Sequence, residues 1–192
     1  MKRILIIGAL LVWVFHINTS AQQKFERESR LKAEDDPTEA LKFIDAVEMN
    51  TRWKWYFEEN LVGNSVEAKT RYNGKWYSVE FDTSGKIQDV EVETALPAMK
   101  ENVSRNILQA LDSMFNSHKI DKTQIQYSAE DSVLLAILNK NAHQAVSKIQ
   151  YEIVVKGKKS GRPKLYELTF SDNGKLLGSA EIIFRNTDNL EY

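Results

Sequence analysis

The side chains in this sequence that could do chemistry are carboxylates, lysines and a few large aromatics. Cysteine is absent, which removes thiolate nucleophiles, disulfides and sulfur metal ligands together. The three histidines are His16, His118 and His143, and none stands in an HExxH or related ligand spacing. His118 reads as a surface residue at the end of a helix, and His143 as a loop or helix-end residue. No GxSxG elbow or SxxK pair offers an activated serine, and no glycine-rich loop offers a phosphate cradle. These readings leave no catalytic residue, no metal ligand set and no cofactor to expect.

The acidic residues have ordinary roles open to them. Asp35 and Asp36 precede Pro37 and suit the N-terminus of a helix. Asp89, Glu91 and Glu93 alternate and so share one face of a strand. Lys69 and Arg71 repeat that spacing on an earlier strand, a pattern of cross-strand charge pairing or of a solvated face. The segments DTSG (82–85) and SDNG (171–174) are turns, too short for a calcium loop of about 12 residues.

The aromatics say more. Trp53, Trp55 and Phe57 fall on one side of a strand, where large aromatics anchor a small core. In KWYSVEFD, Tyr77, Val79 and Phe81 share the apolar face, so Trp76 falls with Ser78 and Glu80 on the opposite one. Tyr56 points away from Trp53 and Trp55 by the same alternation. An open sheet face carrying Trp76 and Tyr56 among Arg71, Lys54 and Glu80 has the composition of a protein-binding hot spot. Trp76, Tyr56, Arg71 and Glu80 are therefore the expected binding residues. The competing expectation packs Trp76 under the N-terminal segment or a second repeat.

An internal repeat positions these residues. KWYSVEFDTSGKI (75–87) aligns without gaps on KLYELTFSDNGKL (164–176), and each copy alternates, turns at a glycine and begins a second strand. Gly85 and Gly174 supply the positive φ of such turns. Upstream, Pro37 and Pro97 each open a helical pattern. In the second, Met99, Val103, Ile107, Ala110, Leu111, Met114 and Phe115 form one stripe; in the first, Leu41, Ile44 and Val47 do so more briefly. Strands RWKWYFEE and SVEAKTRY complete the first unit, KTQIQYS and KIQYEIVVKGK the second. A helix inserted at about residues 130–142 must bury Val133, Leu134, Ile137 and Leu138. The expected fold is α+β, two tandem helix-plus-four-stranded antiparallel sheet repeats with one face of each sheet partly open. Residues 22–36 are expected to add a strand.

The N-terminus reads as an export signal: Lys2 and Arg3, an apolar run from Ile4 to Ile17, then Thr19-Ser20-Ala21 before a cleavage point. The run is shorter than the roughly 20 apolar residues that cross a membrane, so no stable anchor is expected after cleavage. Removing residues 1–21 takes Lys2 and Arg3 from a net charge of −1. An acidic exported chain is a poor partner for nucleic acid, and its stability must come from an ordinary core. The expected units are the signal (1–21), a first repeat with its N-terminal strand (22–95) and a second repeat (96–192).

A signal peptide, Leu96-Pro97 opening a helix, and Tyr166 to Phe170 running through Gly174-Lys175, echoed by Tyr77, Phe81, Gly85 and Lys86, resembles the PepSY-like group of small secreted bacterial domains. That group is similar in fold to the β-lactamase-inhibitor-protein family. The first half also looks like secreted proteins of Bacteroidetes-type bacteria. The resemblance implies a Gram-negative periplasm and the repeat fold; no site residue follows from it. The functional expectation is a periplasmic or secreted non-catalytic binding or inhibitory module with a protein or peptide partner. Its rivals are an envelope-acting hydrolase using carboxylates such as Glu80 and Glu91, and a structural envelope protein that self-associates through the inserted helix. Two carboxylates of raised pKa in one concave pocket would favour the hydrolase.

Overall fold

A computed structural model describes residues 22–31, 37–59, 63–140 and 148–184. The signal segment, Asp35-Asp36 and His143 lie outside them. Among the described residues there are nine strands: β1 (Gln22–Arg30), β2 (Lys54–Glu59), β3 (Asn64–Tyr72), β4 (Lys75–Asp82), β5 (Ile87–Glu93), β6 (Ser117–Ser128), β7 (Lys148–Lys158), β8 (Lys164–Ser171) and β9 (Leu176–Phe184). Three helices accompany them: α1 (Thr38–Asp45), α2 (Glu101–Met114) and α3 (Asp131–Leu138). The class is α+β, as expected.

Successive strands pair antiparallel from β1 to β9. The last contact is different: β1 runs parallel to β9, with Gln22 opposite Ala180 and Glu26 opposite Phe184, and closes the sheet into a barrel. Closure changes the meaning of the two strand faces. The apolar face looks outward, under the helices. The face expected to be open is turned into the barrel instead. Two-residue alternation reports that a strand has two faces, whereas closure depends on a pairing between the chain's two ends.

The outward face is covered in two patches. Ala40 and Ile44 of α1 and Leu134 and Leu138 of α3 form one cluster with Val66, Val79, Phe81 and Val90 of the sheet, and Trp53, Trp55 and Phe57 pack against it. Val103, Ile107 and Leu111 of α2, with Phe115 just after it, form a second cluster with Ile153, Val155, Leu168 and Phe170 of the sheet. The α2 stripe is thus the one its 3.6-residue period demands. The inserted helix α3 follows β6 in sequence yet covers the first patch. Asn139 holds it there, its Oδ1 accepting from the Glu48 N–H at 2.7 Å and its Nδ2 donating to the Ala46 carbonyl at 3.2 Å. That placement uses the apolar residues of α3 within the chain.

The two hairpin glycines do matched work. Gly85 (φ 88°) and Gly174 (φ 79°) occupy the left-handed region. A Cβ on Gly85 would stand 2.9 Å from the Ala40 nitrogen, and one on Gly174 would stand 2.7 Å from the Val103 carbonyl. Each glycine therefore turns its hairpin and lets it lie against the start of a helix. In the first turn Asp82 accepts from the Ser84 hydroxyl and the Lys86 N–H, which holds its carboxyl below the usual range.

Local departures from expectation have local causes. Pro97 sits in a 3₁₀ turn, Leu96–Ala98, after which Met99 is extended (ψ 166°), so α2 begins at Glu101 rather than at the proline. Pro37 is the residue capping α1, not part of its first turn. Strand β6 begins at Ser117, five residues before KTQIQYS, so His118 lies in a strand and not at a helix end. Its Nδ1 is 3.8 Å from Asp112, and its ring lies beside Phe115.

Candidate functional site

Alternation that sends apolar side chains outward sends their neighbours into the barrel, and those neighbours are mostly glutamates. A cavity of about 380 Å³ is lined by Glu28, Glu58, Glu67, Glu80, Glu91, Glu152 and Glu167, with Lys69, Lys122, Gln126 and Thr169. Residues from β1 to β8 contribute to it, so the barrel closure itself assembles the lining. Glu67 and Glu80 stand opposite each other across β3 and β4, and Glu80 stands opposite Asp89 across β4 and β5.

Lys69 organises one side. Its ammonium lies 2.5 Å from Glu67, 3.0 Å from Glu28 and 3.7 Å from Glu58, and 5.2 Å from the centroid of the Tyr56 ring. Lys69 and Arg71 are not the cross-strand neighbours of Asp89, Glu91 and Glu93, because β4 separates β3 from β5. Burial lowers the basicity of an ammonium, but Glu67 and Glu28 more than compensate and raise the Lys69 pKa.

The carboxyls around it separate into protonated and ionised forms. Burial, then the hydrogen bond and charge of Glu67, push Glu58 up to about 9. Burial opposes ionisation of Glu67 as well, yet the hydrogen bond from Glu58, the Lys69 charge and the Ser78 hydroxyl bring its pKa below the ordinary value. Glu58 and Glu67 therefore titrate as one pair that holds a single proton near neutrality. Burial, then the neighbouring Asp89 charge, push Glu91 up to about 8. Glu28, Glu58 and Glu67 bring carboxylate oxygens within 4.8 Å of one another and are the described residues that could hold a metal. The Lys69 ammonium already lies in their midst, so the chain supplies its own cation there.

At one end the interior meets a second cavity of about 410 Å³, lined by Tyr56, Lys69, Trp76, Tyr77, Ser78, Glu93, Asp121, Lys122 and Gln124. The Asn73-Gly74 turn, with φ 48° and 81°, reverses the chain just before β4 and sets Trp76 at this mouth. Trp76 is 43% exposed, so it is not packed beneath another segment. Its backbone N–H donates to Glu93 at 3.1 Å. Gln124 is 2% exposed, and among the described residues its Oε1 accepts no hydrogen bond.

The four expected binding residues thus fall into three places. Trp76 and Tyr56 line the mouth together. Glu80 lines the interior. Arg71 is opposite Trp76 in register but lines neither cavity. Sequence reasoning missed Lys69 as an organising charge and missed Glu28, Glu58, Glu67, Glu152 and Glu167. The available signal was the recurrence of Glu at the position two away from another polar residue on the non-apolar face of successive strands.

No family model matches the chain, and no curated protein does. Solved structures do share its fold. A DUF2874 family protein from Bacteroides ovatus ATCC 8483 aligns with 76% of this chain and 86% of its own at a TM-score of 0.50 and 14% identity. A BLIP-like protein from Bacteroides fragilis NCTC 9343 aligns with 82% of this chain and 93% of its own, more loosely, at 0.45 and 18%. A candidate periplasmic protein from Bacteroides eggerthii DSM 20697 aligns with 76% and 88% at 0.48 and 13%. At these identities the likeness is one of fold alone. Among the described residues, no helix is long and apolar enough to cross a membrane.

Proposed function

We propose that this protein is an exported, non-catalytic binding module that receives part of a protein or peptide at the barrel mouth beside Trp76. The observation that carries this reading is an exposed tryptophan, 43% accessible, standing with Tyr56 over a cavity of about 410 Å³. That is within the usual size range of ligand pockets, and solvent-facing tryptophan and tyrosine are the side chains most enriched at interaction hot spots. The matched hairpins at Gly85 and Gly174, each resting on its own helix, support describing the chain as two PepSY-like repeats joined into one barrel. The signal-like residues 1–21 support a periplasmic or secreted setting.

The test is retention of periplasmic proteins on the immobilised chain, residues 22–192, beside a Trp76→Ala variant of verified circular dichroism. A protein retained by the parent and lost by the variant supports the reading. Identical retention by both, or none by either, removes the mouth as the binding site.

One observation favours the hydrolase as a second reading: Glu58 at about 9 and Glu91 at about 8 line one cavity, and perturbed carboxyls mark catalytic sites as well as structural networks. Here the ionised partner, Glu67, is already engaged by Ser78, Lys69 and Glu58, which favours a structural network. Hydrolysis of envelope glycan by the parent, abolished in Glu91→Gln, would reverse that preference.

A further inference from the structure

We infer that the group recognised at the Trp76 mouth is an alkylammonium ion, such as a lysine side chain or a free polyamine. This rests on the reading of the mouth as the ligand site and adds the chemistry that the site selects.

Three features point to it. First, the buried Gln124 Oε1 has no hydrogen-bond donor among the described residues, and Gln124 lines the mouth. A buried acceptor left without a donor is costly, and a ligand N–H would satisfy it. Second, the remaining groups beside it suit a cation. The faces of Trp76 and Tyr56 attract ammonium ions, and Glu93 and Asp121 add carboxylates. Third, the barrel already solvates one ammonium by the same means, with Lys69 held between glutamates and the Tyr56 ring.

The field behind the mouth acts in the same direction. Seven glutamates, of which Glu58 and Glu91 keep their protons near neutrality, and two lysines line the interior among the described residues, and a low-dielectric wall focuses the remaining negative charge toward the opening. Lys69 is matched by Glu67 and Glu28, and Lys122 lies near enough to Glu91 to act against the rise of its pKa. An anionic ligand would meet Glu93, Asp121 and the unpaired Gln124 Oε1, and of the two ammonium groups in the lining Lys69 is already held by Glu67 and Glu28.

Isothermal titration of residues 22–192 tests this with three probes: a capped alanine peptide bearing one lysine, its Nε-acetylated counterpart, and spermidine. The lysine peptide, spermidine or both are expected to bind, with the acetylated peptide at least about tenfold weaker. Gln124→Leu, which removes no existing hydrogen bond, is expected to weaken the amine about tenfold, and Glu93→Gln provides a second variant if the first fails to fold. Binding of the lysine peptide alone identifies a peptide side chain as the source; binding of spermidine alone identifies a free polyamine. Equal binding of lysine and acetyl-lysine peptides overturns the ammonium inference and leaves the mouth a binding site. Silence from all three probes also overturns it; the mouth itself then stands or falls with Trp76-dependent retention of a protein.

Discussion

The two faces of the same strands are built to opposite rules. Outward, Phe81, Phe170, Leu168 and Val79 are fully buried beneath helices, and stability follows from apolar area and close packing. Inward, glutamates surround a cavity, and stability follows from how protons and two ammonium groups are distributed among them. A residue's number along a strand decides which rule it obeys. The lesson is that the inner face tolerates chemistry because the outer face carries the fold.

That contrast can be broken most directly at the outer face. Phe170→Ala should cost about 3–5 kcal/mol, the usual range for emptying a core aromatic site, measured by urea unfolding. A loss below about 1 kcal/mol would show that this patch does not carry the fold. On the inner face Lys69→Met should cost about 3 kcal/mol, because Glu67 and Glu28 keep their charges and lose their counter-ion. If a further Glu67→Gln change does not recover part of that loss, the ion-pair account of Lys69 is wrong.

Between the faces, Gly174→Ala should cost on the order of 1–3 kcal/mol, since alanine would be strained at φ 79° and would crowd the Val103 carbonyl. Gly161, also at positive φ but with nothing within 4 Å, supplies the control. Gly161→Ala should cost less, and equal losses would mean that the hairpin does not bear on α2.

A smaller effect separates the faces by pH. Glu58 and Glu91 have folded pKa values of about 9 and about 8 against an ordinary 4.5, so the folded chain retains protons that the unfolded chain releases. Their contribution is complete below the unfolded value and is lost as pH rises through 8 and then 9. Glu67, shifted downward, works the other way, its contribution being lost on acidification below its ordinary value. The urea midpoint should therefore fall between about pH 5 and pH 9, and Glu58→Gln with Glu91→Gln should flatten that fall. A flat parent profile would refute the shared-proton arrangement. Least of all, Trp76→Ala should change stability by no more than about 0.5 kcal/mol, because its exposed ring supports binding rather than the core.

Much of this fold was legible residue by residue. The stripe at Val103, Ile107 and Leu111 and the alternation at Tyr77, Val79 and Phe81 follow from the periods of helix and strand. The turns at Gly85 and Gly174 follow from glycine's access to positive φ. Trp76 and Tyr56 were legible as residues of the non-core face, though not as neighbours at one mouth.

Local periodicity alone thus determined the elements, their buried sides and the helix-bearing hairpins. Tertiary structure decided three things. The pairing of β1 with β9 turned an expected open surface into a barrel interior. The return of α3 to the first core placed Leu134 and Leu138 in one cluster with Ala40, Ile44 and Phe81, which are distant in sequence. The gathering of Glu28, Glu58 and Glu67 around Lys69 produced pKa values that no single strand contains. Each of these depends on groups distant in sequence, and alternation with a period of two distinguishes one face from the other without revealing which way the sheet will curl.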